Sequence, residues 1–224
     1  MTVRAEQLLD PAYLAQRATL IDPTRAQSFG AGNPSKGGTI YLTAADEHGM
    51  MVSFIQSNYM GFGSGVVVPG FGISLQNRGH GFSLDASSPN VVAPGKRPFH
   101  TIIPAFVTTD DGQPVMSFGV MGANMQPQGH LQTLVRMLAY RQHPQAACDA
   151  PRWRFNEGLE INVEAGMDAK TVAGLAALGH RMEVIQDSYQ DFGAGQFIWR
   201  LGDPAAEGYV AASDPRRDGL AAGF

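Results

Sequence analysis

A threonine behind two glycines, Gly37-Gly38-Thr39, stands where a Gly/Pro/Ser-rich stretch gives way to an apolar run. A threonine hydroxyl is a weak nucleophile until a base takes its proton, and its own free α-amino group can be that base. Freeing the amine requires cutting the Gly38–Thr39 peptide bond. The Thr39 hydroxyl could do this by attacking the Gly38 carbonyl, giving an ester that water hydrolyses. Gly38 suits such a step because, lacking Cβ, it tolerates unusual dihedrals and close approach. On residue types alone the plainer alternative, that Thr39 merely begins a strand, stays open.

The other reactive side chains point to structural uses. Cys148 is the one cysteine, which excludes an internal disulfide; it lies in a helical stretch and is expected to be a buried structural thiol. The six histidines show no HxH or HExxH spacing, so no metal site is expected. The segment PGKRP (94–98) is not a phosphate loop, because position 90, where a Walker A motif needs Gly, is Asn. Lys96 and Arg97 are expected to hold that loop by ion pairs. Arg152 and Arg154, flanking Trp153, are expected to serve structure, and Asp214, Arg216, Arg217 and Asp218 to form a salt-linked network near the C-terminus.

The elements that must position these residues follow from patterning. Residues 5–22 carry apolar side chains at helical spacing, with Pro11 suited to a first turn. Residues 23–38 are the best linker candidate. TIYLTAAD (39–46) and MMVSFIQS (50–57) read as two strands around the turn Glu47-His48-Gly49. VVVPGFGISL reads as one extended run and 77–98 as loop. A second hairpin brackets Asp110-Asp111-Gly112-Gln113. A helix is expected over 130–141, with Leu131, Leu134, Val135 and Leu138 on one face, and a shorter one from Pro144 to Ala150. A strand at 159–163, a helix at 168–179 and strands at 182–186, 196–201 and 208–212 complete the chain. This order suits a layered α+β architecture better than a parallel βαβ sheet.

Composition narrows the function classes. The 224 residues, 44% hydrophobic, are enough for one globular core. A net charge of −4 with no basic block carries no footprint for nucleic acid. No apolar run approaches the ~20 residues that span a bilayer. The N-terminal stretch mixes Arg4, Glu6, Asp10 and Arg17 with apolar residues and lacks a secretory core, so cytoplasmic residence is expected.

From Gly38 onward the chain resembles the small subunit of γ-glutamyltransferases, of the N-terminal-nucleophile hydrolase superfamily. The likeness rests on TIYLTAADEHG, FGSGVVVPGFGI, NRGHGFSLD, PGKRPFHTIIP, GVMGAN, QAACDAPRWR and the terminal ASDPRRDGLAAGF, which together cover residues 39–224. It is nearest to a bacterial branch carrying QSNYMGFGSG. Residues 5–22 resemble the end of the family's large subunit. The resemblance implies the small-subunit half of an αββα sandwich, divided into a large-subunit tail with processing linker (1–38) and a catalytic domain (39–224).

By the same resemblance, Thr39 is the catalytic threonine, cleaving the precursor after Gly38 and forming the acyl-enzyme. Ser57, eighteen positions on, orients it. Asn58 or Tyr59, with a one-residue ambiguity, contacts substrate, and the backbone N–H groups of Gly122 and Ala123 form the oxyanion hole. The pocket departs from the family. His100 and Thr101 stand where adjacent serines bind the glutamyl carboxylate, and Gly81, after His80, replaces the aspartate that pairs with the α-ammonium. An ammonium buried without its counter-charge is costly.

The implied activity is hydrolysis or transfer on γ-glutamyl amides of the glutathione type, with no cofactor. An acylase acting on glutaryl-type amides is the first alternative, an inactive fragment or association module the second. Only 38 residues precede Thr39, so the chain is expected to be part of a longer precursor or a truncated product. A large-subunit partner and assembly into a higher oligomer are expected.

Overall fold

The computed structural model describes residues 9–27, 38–189 and 191–224. Helix α1 (Pro11–Ala18) starts at Asp10, whose carboxylate accepts the Tyr13 N–H at 2.7 Å, with Pro11 in the first turn where its missing N–H costs nothing. Residues 28–37 of the expected linker lie outside the described residues.

Two sheets face each other at the Thr39 end of the chain. β1 (Gly38–Ala45) and β2 (Met51–Tyr59) pair antiparallel. Their turn is closed by Asp46, whose Oδ1 accepts the His48 and Met50 N–H groups, and by Gly49 at φ +88°. Alternation sends Thr39, Tyr41 and Thr43 inward, opposite Ser57, Ile55 and Ser53, and leaves Ile40, Leu42, Val52 and Phe54 exposed on the outer face.

The second sheet is antiparallel, in the order β11 (Tyr209–Ser213), β10 (Ala194–Arg200), β6 (Pro114–Met121), β5 (Ala105–Thr108). Its β5–β6 connection falls at the expected Asp110–Gln113 turn. β6 is buried on both faces. Met116, Phe118 and Val120 join Met137, Ala147, Cys148, Phe197 and Ala212 in the core, with the Phe118 and Phe197 rings stacked at 5.7 Å. Ser117 and Gly119 face the first sheet instead.

The helical cover departs from the expected pattern. α2 (Met125–Leu134) begins five residues before the reading at 130 and continues as a π-helical turn, Val135–Ala139. Its buried face is largely polar, comprising Met125, Gln126, Gly129, His130, Gln132 and Thr133, whereas Leu131, Val135 and Leu138 are exposed. These polar groups are satisfied across element boundaries. His130 Nε2 lies 3.2 Å from the Ile103 carbonyl, and the Gln132 amide bonds the Trp153 carbonyl and N–H at 2.9 and 3.1 Å. α3 (Pro144–Asp149) forms from Pro144 as expected.

VVVPGFGISL is a small hairpin rather than one run. β3 (Val67–Val68) and β4 (Ile73–Ser74) pair across a turn that places Gly70 and Gly72 at positive φ. β7 (Trp153–Phe155) pairs antiparallel with β8 (Glu160–Glu164), and β8 pairs parallel with β9 (Arg181–Ile185) across helix α4 (Ala169–Ala177). The fold is α+β, yet it contains one local βαβ crossover that the hairpin-first reading set aside. No helix among the described residues is long and apolar enough to cross a membrane.

Candidate active site

Thr39 is 5% exposed on the inner face of β1, and its hydroxyl donates to Ser57 Oγ at 3.0 Å. Ser57 Oγ also accepts the Tyr59 N–H at 3.0 Å, so the serine oxygen is held from two sides. The two strands change register here, with Gly38 opposite Tyr59 but Thr39 opposite Ser57. Asn58 is therefore an extra residue, a bulge facing the Gly38–Thr39 peptide bond, and Tyr59 beyond it takes φ +74°. Asn77, which sequence reading did not single out, pins the bulge. Its N–H donates to the Asn58 carbonyl at 3.1 Å and its Oδ1 accepts the Met60 N–H at 3.0 Å.

Side chains of β1 pack across β6. Thr43 Oγ1 hydrogen-bonds Ser117 Oγ. The Tyr41 ring lies over Gly119 so closely that a Cβ there would stand 2.4 Å from the ring, and burial pushes the Tyr41 hydroxyl up to about 12. Thr39 lies two residues before Tyr41 on β1, and Met121 two residues after Gly119 on β6. Gly122 takes φ +132° and Ala123 φ +51°, which turns the chain from β6 into α2. The Gly122 and Ala123 carbonyls accept the first helical N–H groups, while no partner among the described residues engages their own N–H groups. Two open donors and the positive end of a ten-residue helix thus meet at this turn.

That turn is braced from behind. A Cβ on Gly122 would sit 2.9 Å from Gly193 Cα. Residues 192–195 are in turn held by a buried ion cluster. Arg152 donates to the Phe192 carbonyl at 2.9 Å and to Asp214 at 2.5 Å, and the Gly195 N–H donates to Asp214 at 2.9 Å. Arg216 bridges Asp214 and Glu164 and donates to the Cys148 and Ala150 carbonyls. The expected C-terminal network therefore holds at Asp214 and Arg216, with Arg152 inside it. Glu164 is the partner that sequence missed. Arg217 instead stacks 3.8 Å from the Tyr189 ring, and Asp218 makes no ion pair among the described residues. Arg154 pairs with Asp191 at 2.9 Å. Cys148 is buried and its thiol is raised to about 12 by desolvation, as befits a structural residue.

The predicted pocket residues lie on two stitched loops. Arg78–Gly81 form a 3₁₀ turn with His80 exposed. Asn90 ties it to the other loop, donating to the Gly81 carbonyl at 2.6 Å and accepting the Phe99 N–H at 2.9 Å. Lys96 donates to the Pro89 and Val91 carbonyls, a correction to the ion pair expected of it, since carbonyls rather than carboxylates close this loop. Arg97 likewise makes no ion pair among the described residues. His100 Nδ1 accepts the Ile102 N–H at 3.3 Å, and its ring is held below the usual imidazole range by partial burial, then by Arg78 and Arg97. Thr101 is buried, and the Ile103 N–H donates to Gln126 of α2 at 3.2 Å, fastening this loop to the first turn of that helix. Arg78, also missed, is half-buried 5.1 Å from the Tyr59 ring centroid. The expected residues thus form two groups, Thr39, Ser57, Gly122 and Ala123 in one and His80, His100 and Thr101 in the other, with Tyr59 between them.

A surface cleft of about 320 Å³ lies elsewhere, against Asp149, Glu164, Gly166, Ile185 and Arg216. None of the expected site residues lines it, and its buried charges already satisfy one another. Among the described residues no group of three or more His, Cys, Asp or Glu could hold a metal.

Comparison with known proteins follows the same lines. The family model described as Gamma-glutamyltranspeptidase matches residues 1–224. The oxamate amidohydrolase proenzyme of Klebsiella pneumoniae is 38% identical over 229 residues, covering 100% of this chain and 42% of that protein. A glutathione hydrolase-like proenzyme of Bacillus subtilis is also 38% identical, covering 98% of this chain and 42% of its own length. The crystal structure of a cephalosporin acylase from Bacillus halodurans superposes with a TM-score of 0.88 at 47% identity, over 100% of this chain and 40% of that one. The chain therefore spans about two fifths of the length of these relatives.

Proposed function

The chain belongs to the γ-glutamyltranspeptidase family, and on that premise we propose that it carries the nucleophile of an amide hydrolase or acyltransferase acting on γ-glutamyl or related amides. The observation that carries this reading is the hydrogen bond from Thr39 to Ser57, formed where a bulge distorts the strand directly opposite the Gly38–Thr39 bond.

In the uncut chain, Thr39 Oγ1 attacks the Gly38 carbonyl carbon and its proton passes to the Thr39 nitrogen. The C–N bond breaks and an ester forms. Water then hydrolyses that ester, leaving a Gly38 carboxylate and a free amine on Thr39. Release of the segment ending at Gly38 opens the approach to the hydroxyl. The new amine takes the hydroxyl proton, the oxygen attacks the substrate amide carbon, and the Gly122 and Ala123 N–H groups stabilise the oxyanion. The protonated amine passes its proton to the leaving amine, and water or an acceptor amine resolves the acyl ester.

Three further points belong to this reading. A large subunit covers the apolar outer face of β1 and β2, where Ile40, Leu42, Val52 and Phe54 stand exposed. The assembled enzyme forms a higher oligomer. The relatives carry names that include oxamate, glutathione and cephalosporin, and amide or acyl cleavage is the chemistry those names share.

Intact mass of the expressed precursor tests the proposal. Fragments ending at Gly38 and beginning at Thr39 are expected from the wild type and absent from Thr39→Ala. A wild type that stays whole, or an alanine variant that is still cut, would reject it.

A further inference from the structure

Among the described residues, several arginines find opposite charge, while Arg97 and Arg217 pair with no carboxylate. Arg152, Arg154, Arg181 and Arg216 each meet a carboxylate within 3.0 Å. Arg78 is distinguished by its place, over the ring of Tyr59, whose N–H donates to Ser57. It is half-buried, its guanidinium faces the Tyr59 ring, and no carboxylate pairs with it among the described residues. Desolvating a guanidinium without a counter-charge is unfavourable, and an aromatic face recovers only part of that cost.

The surroundings reinforce the positive field. His100 senses both Arg78 and Arg97, and Asn90 holds its loop against the Arg78–Gly81 turn. The turn itself is fixed at its start by Asn77, which also pins the bulge next to Ser57. The cation is thus connected to the Thr39–Ser57 pair through a short run of hydrogen-bonded backbone. The same turn has Gly79, His80 and Gly81 after Arg78 and offers no acidic side chain to an ammonium group.

We propose that Arg78, flanked by Tyr59 and His100, binds a carboxylate on the acyl donor, so that the preferred substrates are monoamides of dicarboxylic acids lacking an α-ammonium group. This rests on Thr39 being the acylated nucleophile and narrows the acyl group it accepts. An arginine fork reads a carboxylate through two parallel N–H bonds, which fixes orientation as well as charge. A zwitterionic γ-glutamyl group would bring an ammonium into a site already crowded with cations, and a neutral acyl chain would leave the guanidinium unpaired.

The test uses the processed enzyme from the full precursor and three p-nitroanilides: glutaryl, γ-glutamyl and the neutral butyryl. The glutaryl anilide is expected to give the highest kcat/KM. In Arg78→Gln its advantage over the butyryl anilide falls by about tenfold to a hundredfold, the loss of one charge-assisted contact. Arg78→Lys restores part of it. Free glutarate is expected to inhibit the wild type competitively and the Gln variant weakly. Equal loss on glutaryl and butyryl anilides in Arg78→Gln would overturn the carboxylate site while leaving the Thr39 mechanism intact. A wild-type preference for the γ-glutamyl anilide would overturn the exclusion of the ammonium. If the wild type turned over none of the three and remained uncut at Gly38–Thr39, the nucleophile assignment would fall, and this inference with it.

Discussion

Two groups of arginines in this chain experience opposite circumstances. Arg152 and Arg216 sit in the interior, and each shares Asp214 with a second acceptor, so burial and pairing occur together. Arg78 is partly withdrawn from water at the mouth of the nucleophile site with an aromatic ring in place of a carboxylate. The first arrangement holds backbone: through Phe192 and Gly195 it fixes Gly193, which leaves Gly122 no space for a side chain. The second holds nothing in the described chain. A charge satisfied by its own protein reads as architecture, and one left unsatisfied beside a nucleophile reads as recognition.

The comparison can be broken most severely at Asp214. Asp214→Asn leaves two buried guanidinium groups short of a counter-charge, and a stability loss of about 3–5 kcal/mol is expected in urea unfolding. A near-neutral result would mean that the cluster does not hold the C-terminal sheet.

Gly122→Ala comes next. A side chain there meets Gly193 and demands φ +132° of an alanine, so kcat is expected to fall by about a hundredfold or more, the loss of an oxyanion donor. Steady-state rates on any accepted anilide, with circular dichroism to confirm folding, would measure it.

A smaller effect lies in His130, whose imidazole is held below its ordinary value of 6.5 chiefly by burial. The folded state therefore favours the neutral ring. The contribution of His130 is full above pH 6.5 and is lost as pH falls through that value toward the lower folded pKa. Thermal unfolding from about pH 7 down to about pH 5 should show a shallower decline in His130→Gln than in the wild type. Identical slopes would remove this group from the acid sensitivity.

The smallest expected change sharpens the contrast. Arg78→Gln should leave stability within about 0.5 kcal/mol of wild type, because it removes no contact with a carboxylate. A large loss would make Arg78 structural after all.

Much of this was legible in the sequence where local chemistry decides structure. Alternation identified β1 and β2, Asp110–Gln113 marked the second hairpin, and Pro144 opened α3. The Thr39–Ser57 pairing also falls within one hairpin, eighteen residues apart. What escaped was set by distant partners. The start of α2 was missed because its buried face is built largely from Gln126, His130 and Gln132, which mimic a solvent face until Ile103 and Trp153 meet them. Glu164 gave no local sign that it would close the arginine cluster, 52 residues before Arg216. The bulge at Asn58 left no local sign in the sequence. Arg78 stood in view beside Gly81, but a half-buried arginine reveals the absence of a partner only once the fold has brought its neighbours together.

The central claim is that one oxygen, Thr39 Oγ1, both cuts the chain and carries the acyl group. Rapid quench of the processed enzyme with a glutaryl anilide, followed by peptide mass spectrometry, tests it most directly. The account predicts a glutaryl ester on a peptide that begins at Thr39. An acyl adduct on any other residue, or turnover with Thr39 unmodified and still joined to Gly38, would contradict it.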